Sequence, residues 1–148
     1  MKTTLLVAAL SLTLASACGG GSKANAQGGF SLASIKGSYA GLFTGKIHTS
    51  SGLLPFRGTG VFTADGAGNL SGDESYTVNG VPCSATIQGT YQVNADGSGS
   101  DSVKFTASGS GCTSGTYTQS LAIGQAGSLI LLVNTNADEI SEEWYSQN

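Results

Sequence analysis

Charge is scarce in this chain. Only 10% of its 148 residues are charged and the net charge is −3, so it lacks the basic surface that nucleic acid requires. Histidine occurs once, as His48. No motif supplies it with a nucleophile, an orienting carboxylate or fellow metal ligands, and it reads as a solvated strand-end residue. After the N-terminal segment no apolar run is long enough to cross a membrane as a helix. Proline occurs twice against 23 glycines. The glycines are scattered without a collagen period, which makes them punctuation between strands. The length excludes two ordinary domains, and no residue pattern calls for a cofactor.

What is present begins with a short basic start, Met1–Lys2, the apolar run Thr3–Leu14 and then Ala15-Ser16-Ala17-Cys18. This is the layout of an export signal. Small residues followed by Cys resemble a bacterial lipobox, with Ala15 where Leu is commoner. The resemblance implies that Cys18 becomes a lipid-modified first residue tying the protein to a membrane of the cell envelope. Gly19-Gly20-Gly21-Ser22 then reads as a flexible tether. Ala24-Asn25-Ala26 is a rival A-x-A cleavage site that would release a soluble, secreted or periplasmic protein. The lipobox is preferred because the apolar run ends directly at it. The expected organisation is a signal peptide over 1–17, the lipidated Cys and linker over 18–34, and one domain over 35–148.

Three cysteines is an odd number for an exported protein. Lipidation of Cys18 would leave Cys83 and Cys112 as an even pair in an oxidising compartment, and these are expected to form a disulfide. A metal pair or a reactive thiol is the alternative. It lacks support, because no His lies near either Cys and there is no C-x-x-C.

From Ile35 the apolar residues recur with period two. Ile35, Tyr39, Phe43 and Ile47 share one phase with Gly37, Gly41 and Gly45; Leu54, Phe56, Gly58, Gly60 and Phe62 mark a second strand. A third carries Leu70, Glu74, Tyr76 and Val78 and ends at Asn79-Gly80, a strong hairpin signal. Cys83, Ala85, Ile87, Tyr91 and Val93 define a fourth; Asp101, Val103, Phe105 and Ala107 a fifth; Tyr117, Gln119, Leu121 and Ile123 a sixth. Residues 128–133 form a more uniformly apolar seventh, and Ile140 and Trp144 lie on one side of an eighth. Eight short strands with tight turns predict an all-β barrel or sandwich.

Of the eleven aromatics, nine (Tyr39, Phe43, Phe56, Phe62, Tyr76, Tyr91, Phe105, Tyr117 and Trp144) fall on the apolar phase. No helix is available to cover that face. Curling a meander shut covers it and removes both edges, so an eight-stranded antiparallel up-and-down barrel is expected, with a two-sheet β-sandwich as the alternative. The interleaved glycines suit sharp bends in such a wall. A hairpin unit also repeats: Gly58–Gly68 returns as Gly89–Gly99, and more weakly from Gly115-Thr116-Tyr117.

Strands opening G-T-Y, turns reading D-G-x-G and a lipobox-like start are similar to uncharacterised bacterial envelope proteins with small β-barrel domains. The architecture also resembles the lipocalins and other calycins, which hold apolar ligands in an eight-stranded barrel. Gly37-Ser38-Tyr39 corresponds to their G-x-W hallmark, with Tyr in place of Trp.

Four polar residues, Glu74, Asp101, Gln119 and Glu142, share the apolar phase. A carboxylate on an interior face is costly unless it is paired, hydrogen-bonded or kept for a ligand. A position near an open end, or a bulge that flips the local phase, would make them ordinary surface groups. Paired acids could in principle do glycosidase-type work. Asp65-Gly66-Ala67-Gly68-Asn69 and Asn94–Gly99 faintly resemble calcium loops but lack the closing Glu, and turn formation accounts for them. The expected function is non-catalytic: an exported module binding a small apolar or aromatic ligand through Glu74, Gln119, Tyr39, Tyr76, Tyr91, Tyr117 and Trp144, with no metal. The alternative is a structural or interaction module of the envelope with a filled core.

Overall fold

A computed structural model describes residues 29–147. The export segment, Cys18 and the Ala26 site lie outside the described residues. Eight strands follow one another in chain order: β1 Lys36–Thr49, β2 Gly52–Asp65, β3 Asn69–Val78, β4 Val81–Val93, β5 Ser98–Ser108, β6 Gly115–Gly124, β7 Leu129–Asn134 and β8 Glu139–Ser146. Each is antiparallel to the next, and β1 also pairs with β8, with Tyr39 opposite Ser146 and Lys46 opposite Glu139. The protein is a closed up-and-down barrel. The first–last pairing rules out the two-sheet sandwich.

Side-chain alternation sets the interior. Along β1, Tyr39, Phe43 and Ile47 are buried while Leu42, Thr44 and Lys46 are exposed. Eight of the nine in-phase aromatics are buried, and Tyr117 is partly buried. β7 departs from its uniformly apolar sequence. Ile130 and Leu132 face inward, whereas Leu131 and Val133 are exposed on the outer wall.

The turns follow local chemistry. Asn79 and Gly80, both with positive φ (49° and 84°), join β3 to β4 as a two-residue hairpin. Asp65 organises the β2–β3 turn: Oδ1 accepts from Ala67 N–H at 2.7 Å and Asn69 N–H at 2.9 Å, and Oδ2 from Asn69 Nδ2 at 2.6 Å. Asp96 accepts from the Ser98 N–H and hydroxyl in the β4–β5 turn. These carboxylates are engaged as turn formers.

The glycines make room for rings as well as bends. Phe62 stacks on Trp144 with centroids 4.6 Å apart. A methyl on Gly60 would lie 2.7 Å from Phe62 Cζ and 2.9 Å from the Asp73 carbonyl oxygen. Gly41, paired with Gly60, likewise faces Phe62 and Trp144. The bare backbone there lets the stack lie against the wall.

One end of the barrel is stoppered. Residues 29–34, linker by composition, join the fold: Phe30 N–H donates to Ala95 O at 3.1 Å, and Leu32–Ile35 form a 3-10 turn that places Ile35 in the core. The Tyr91 hydroxyl accepts from Gly66 N–H at 3.0 Å and lies within donating distance of the Leu32 and Ile35 carbonyls at 3.1 and 3.2 Å. Tyr39 donates to Gly127 O at 3.1 Å. The opposite end carries the β1–β2, β3–β4, β5–β6 and β7–β8 connections and is open.

Candidate ligand site in the barrel

The open end is a mouth of about 340 Å³, walled by Ile47, Leu54, Phe56, Tyr76, Val78, Phe105 and Tyr117 and rimmed by His48–Ser51, Gly111 and Thr113. Beneath it lies a chamber of about 20 Å³, lined by Glu74, Glu142, Asn134 and Ile140 among others. That is room for about one water-sized group. Phe56, Tyr76, Phe105 and Tyr117 line both spaces and form the neck between them. They come as two ring pairs. Phe56 and Tyr76, from β2 and β3, are 5.2 Å apart; Phe105 and Tyr117, from β5 and β6, are stacked at 4.8 Å.

The polar residues of the interior are brought together at and below the chamber. Glu142 accepts from Gln119 Nε2 at 2.9 Å on one oxygen and from Trp144 Nε1 at 3.0 Å on the other. Asp101 and Gln119 face each other across β5 and β6 and are 3% and 2% exposed. Glu74 and Glu142 keep some surface because they line the chamber. Burial of such groups disfavours their charged forms. Desolvation, then the nearby Glu142 charge, lifts Glu74 to about 8 and Asp101 to about 7. Desolvation also raises Glu142, opposed by its two hydrogen bonds. Of the three acids, Glu142 is the one whose carboxyl oxygens both accept hydrogen bonds, and its proximity adds to the burial that raises the other two.

Among the described residues, four buried side-chain polar atoms have no hydrogen-bond partner: Tyr76 Oη, both Asp101 carboxyl oxygens and Asn134 Nδ2. Tyr76 and Asn134 line the chamber. Buried polar groups are rarely left without a partner, so the chamber presents unused hydrogen-bonding capacity.

Of the residues expected from the sequence, Glu74, Tyr76 and Tyr117 line the chamber and Gln119 buttresses Glu142. Tyr39, Tyr91 and Trp144 line neither space. Tyr39 and Tyr91 bind main-chain groups at the closed end, and Trp144 is committed to Phe62 and Glu142. His48 sits exposed on the mouth rim. Its Nδ1 is 3.0 Å from Ala137 O, and its backbone N–H donates to Asp138 Oδ1 at 2.6 Å. Asn134 is the residue sequence reasoning missed. It lies one residue beyond the apolar stretch 128–133, and the alternation Ile130, Leu132, Asn134 places it inside.

Cys83 and Cys112 form a disulfide with Cα atoms 6.0 Å apart. It ties β4 to the β5–β6 connection, whose Gly111 and Thr113 belong to the mouth rim. Among the described residues no group of three or more His, Cys, Asp or Glu is placed to hold a metal ion, and no helix is long and apolar enough to cross a membrane. In comparisons with known proteins the chain matches no family model and no curated relative.

Proposed function

We propose that this barrel is a non-catalytic binding module of the bacterial cell envelope, taking a small apolar or aromatic ligand through its open end. One observation carries the reading: a solvent-open mouth narrows through four aromatic rings onto a mainly apolar chamber that holds Glu74, Glu142 and the unpartnered Tyr76 and Asn134 atoms. Small-ligand sites combine an apolar wall with a few placed polar groups in this way. A ligand that binds only the folded state raises stability by about 2.7 kcal/mol at a hundred times its Kd. A panel of small aromatic compounds should therefore contain members that raise the melting temperature, and Tyr117→Ala should abolish the shift. A panel with no shift would leave the alternative, an envelope structural module, which the well-filled closed half around Phe43, Phe62 and Trp144 favours.

The same proposal places the protein on a membrane through a lipid on Cys18. Its support is the Ala15-Ser16-Ala17-Cys18 sequence and the Gly/Ser tether that follows. Cys18→Ser should lose acyl labelling in a bacterial host and move to the soluble fraction. A mature N-terminus at Gln27 would overturn the anchor and favour a secreted or periplasmic protein.

A further inference from the structure

Resting on the binding-module reading, we infer that the ligand is an organic cation: a protonated amine on a short aromatic or apolar body, its ammonium received between Glu74 and Glu142 at the base of the mouth. The charge distribution comes first. The interior contains Glu74, Asp101 and Glu142, whereas every described Lys and Arg (Lys36, Lys46, Arg57 and Lys104) is exposed. Lys46 is paired on the surface with Glu139 at 3.4 Å. The interior acids thus have no cation among the described residues, and a buried carboxylate without one is costly.

Size and chemistry agree with that asymmetry. The chamber of about 20 Å³ admits a group the size of a water molecule or an ammonium, and the mouth of about 340 Å³ takes the body. Tyr76 is 5% exposed and its hydroxyl has no partner, so its lone pairs are available to an N–H donor. The neck of Phe56, Tyr76, Phe105 and Tyr117 supplies ring faces, which attract cations. An anionic head group would instead meet Glu142.

Binding is coupled to a proton. Glu74 holds its proton up to about pH 8. When the ammonium arrives, Glu74 gives that proton to solvent and becomes the carboxylate that faces the cation, so one proton leaves per amine bound. The titratable groups around Glu74 are Glu142 on β8, Tyr76 on β3, Tyr117 on β6 and, more remotely, Asp101 on β5 and Asp138 beside Tyr117. Its register partners on β2 and β4 are Gly60 and Ala85, which do not titrate.

The test is calorimetric titration of the full chain with phenethylamine, phenethyl alcohol and 3-phenylpropionate from about pH 6 to about pH 8, a range over which an alkylamine stays protonated as Lys does. Two buffers of different protonation enthalpy count the protons released. The amine should bind roughly tenfold or more tightly than the alcohol and carboxylate. Its affinity should rise about fivefold or more over that range, with proton release near neutrality. Glu74→Gln should cut the amine-over-alcohol preference severalfold, leaving the part due to Glu142, and should flatten the rise with pH. Alcohol or carboxylate binding as tight as the amine's, or an amine affinity that ignores pH, overturns the cation assignment and leaves the binding module standing. Failure of all three compounds to bind overturns both.

Discussion

Gln119 Nε2 donates to Glu142 Oε1 at 2.9 Å, joining β6 to β8 across the inner face of β7. With Trp144 Nε1 on the other oxygen, the carboxyl is held in one orientation at the chamber wall. A charge fixed there is felt by the other two acids, and both are raised in part by it. Burial is the larger cause of that rise, and the Glu142 carboxyl, fixed by this side-chain pair, adds to it.

The first prediction concerns pH. Glu74 and Asp101 titrate near 8 and 7 in the fold, against ordinary values near 4. Between those limits the folded state binds more protons than the unfolded chain. Stability is then full below about pH 4 and falls as pH rises to about 8, by up to about 1.4 kcal/mol per pH unit for each proton. Asp65, held down at about 2 by its turn bonds, acts in the opposite sense below pH 4. Melting temperature should peak near pH 4 to 5, and Glu74→Gln should be more stable than the parent at about pH 8. A melting temperature that is flat or rising between about pH 5 and 8 contradicts the buried-acid arrangement.

The second prediction isolates the Gln119–Glu142 bond. Gln119→Leu keeps the volume roughly constant and leaves Glu142 Oε1 without its donor. The loss should be about 1–3 kcal/mol near pH 8 and smaller toward pH 5, because burial raises the Glu142 carboxyl and its neutral form gains weight as pH falls. Denaturant melts at the two pH values measure it. An equal loss at both would mean that packing alone explains the effect.

The barrel and the disulfide were legible because period-two patterning and cysteine number both survive in a single sequence. Tyr39, Phe43 and Phe62 each show their phase against exposed neighbours such as Leu42 and Val61. The depth of each residue along the barrel axis was not legible. Phase tells inside from outside, but it does not tell that Tyr91 caps the closed end while Tyr76 lines the chamber. That depends on strand register and on the 3-10 turn at Leu32–Ile35, which composition had assigned to linker. β7 misled in a different way. Its outer face is as apolar as its inner one, so Asn134 did not stand out as an inward residue.

The third prediction tests the glycine floor under the Phe62–Trp144 stack. In Gly60→Ala the added methyl meets the Asp73 carbonyl, which cannot yield without disturbing the sheet. The expected cost is about 1–3 kcal/mol, as for overpacking. Gly80→Ala has open space and should act only through backbone strain at φ 84°. If the contact between position 60 and the Phe62 ring matters, Gly60→Ala combined with Phe62→Leu should cost less than the sum of the single changes. Simple additivity in that double-mutant cycle would sink the idea.

The fourth prediction separates the disulfide's two effects. Cys83–Cys112 closes a segment of sequence separation 29, for which the loop-entropy account gives about 3–4 kcal/mol. Cys83→Ala/Cys112→Ala should therefore lower stability by that order in denaturant melts under non-reducing conditions. The bridge also fixes the Gly109–Ser114 connection at the rim, where Ser114 Oγ accepts from Ala107 N–H at 2.9 Å and Cys112 N–H donates to Gly109 O at 3.3 Å. Without it, amide hydrogen exchange should accelerate at residues 109–114 well beyond the change expected from the global loss of stability, while Phe43 and Phe62 keep protection limited only by global unfolding. A uniform acceleration across rim and core would show that the bridge supports the barrel as a whole and has no separate hold on the mouth.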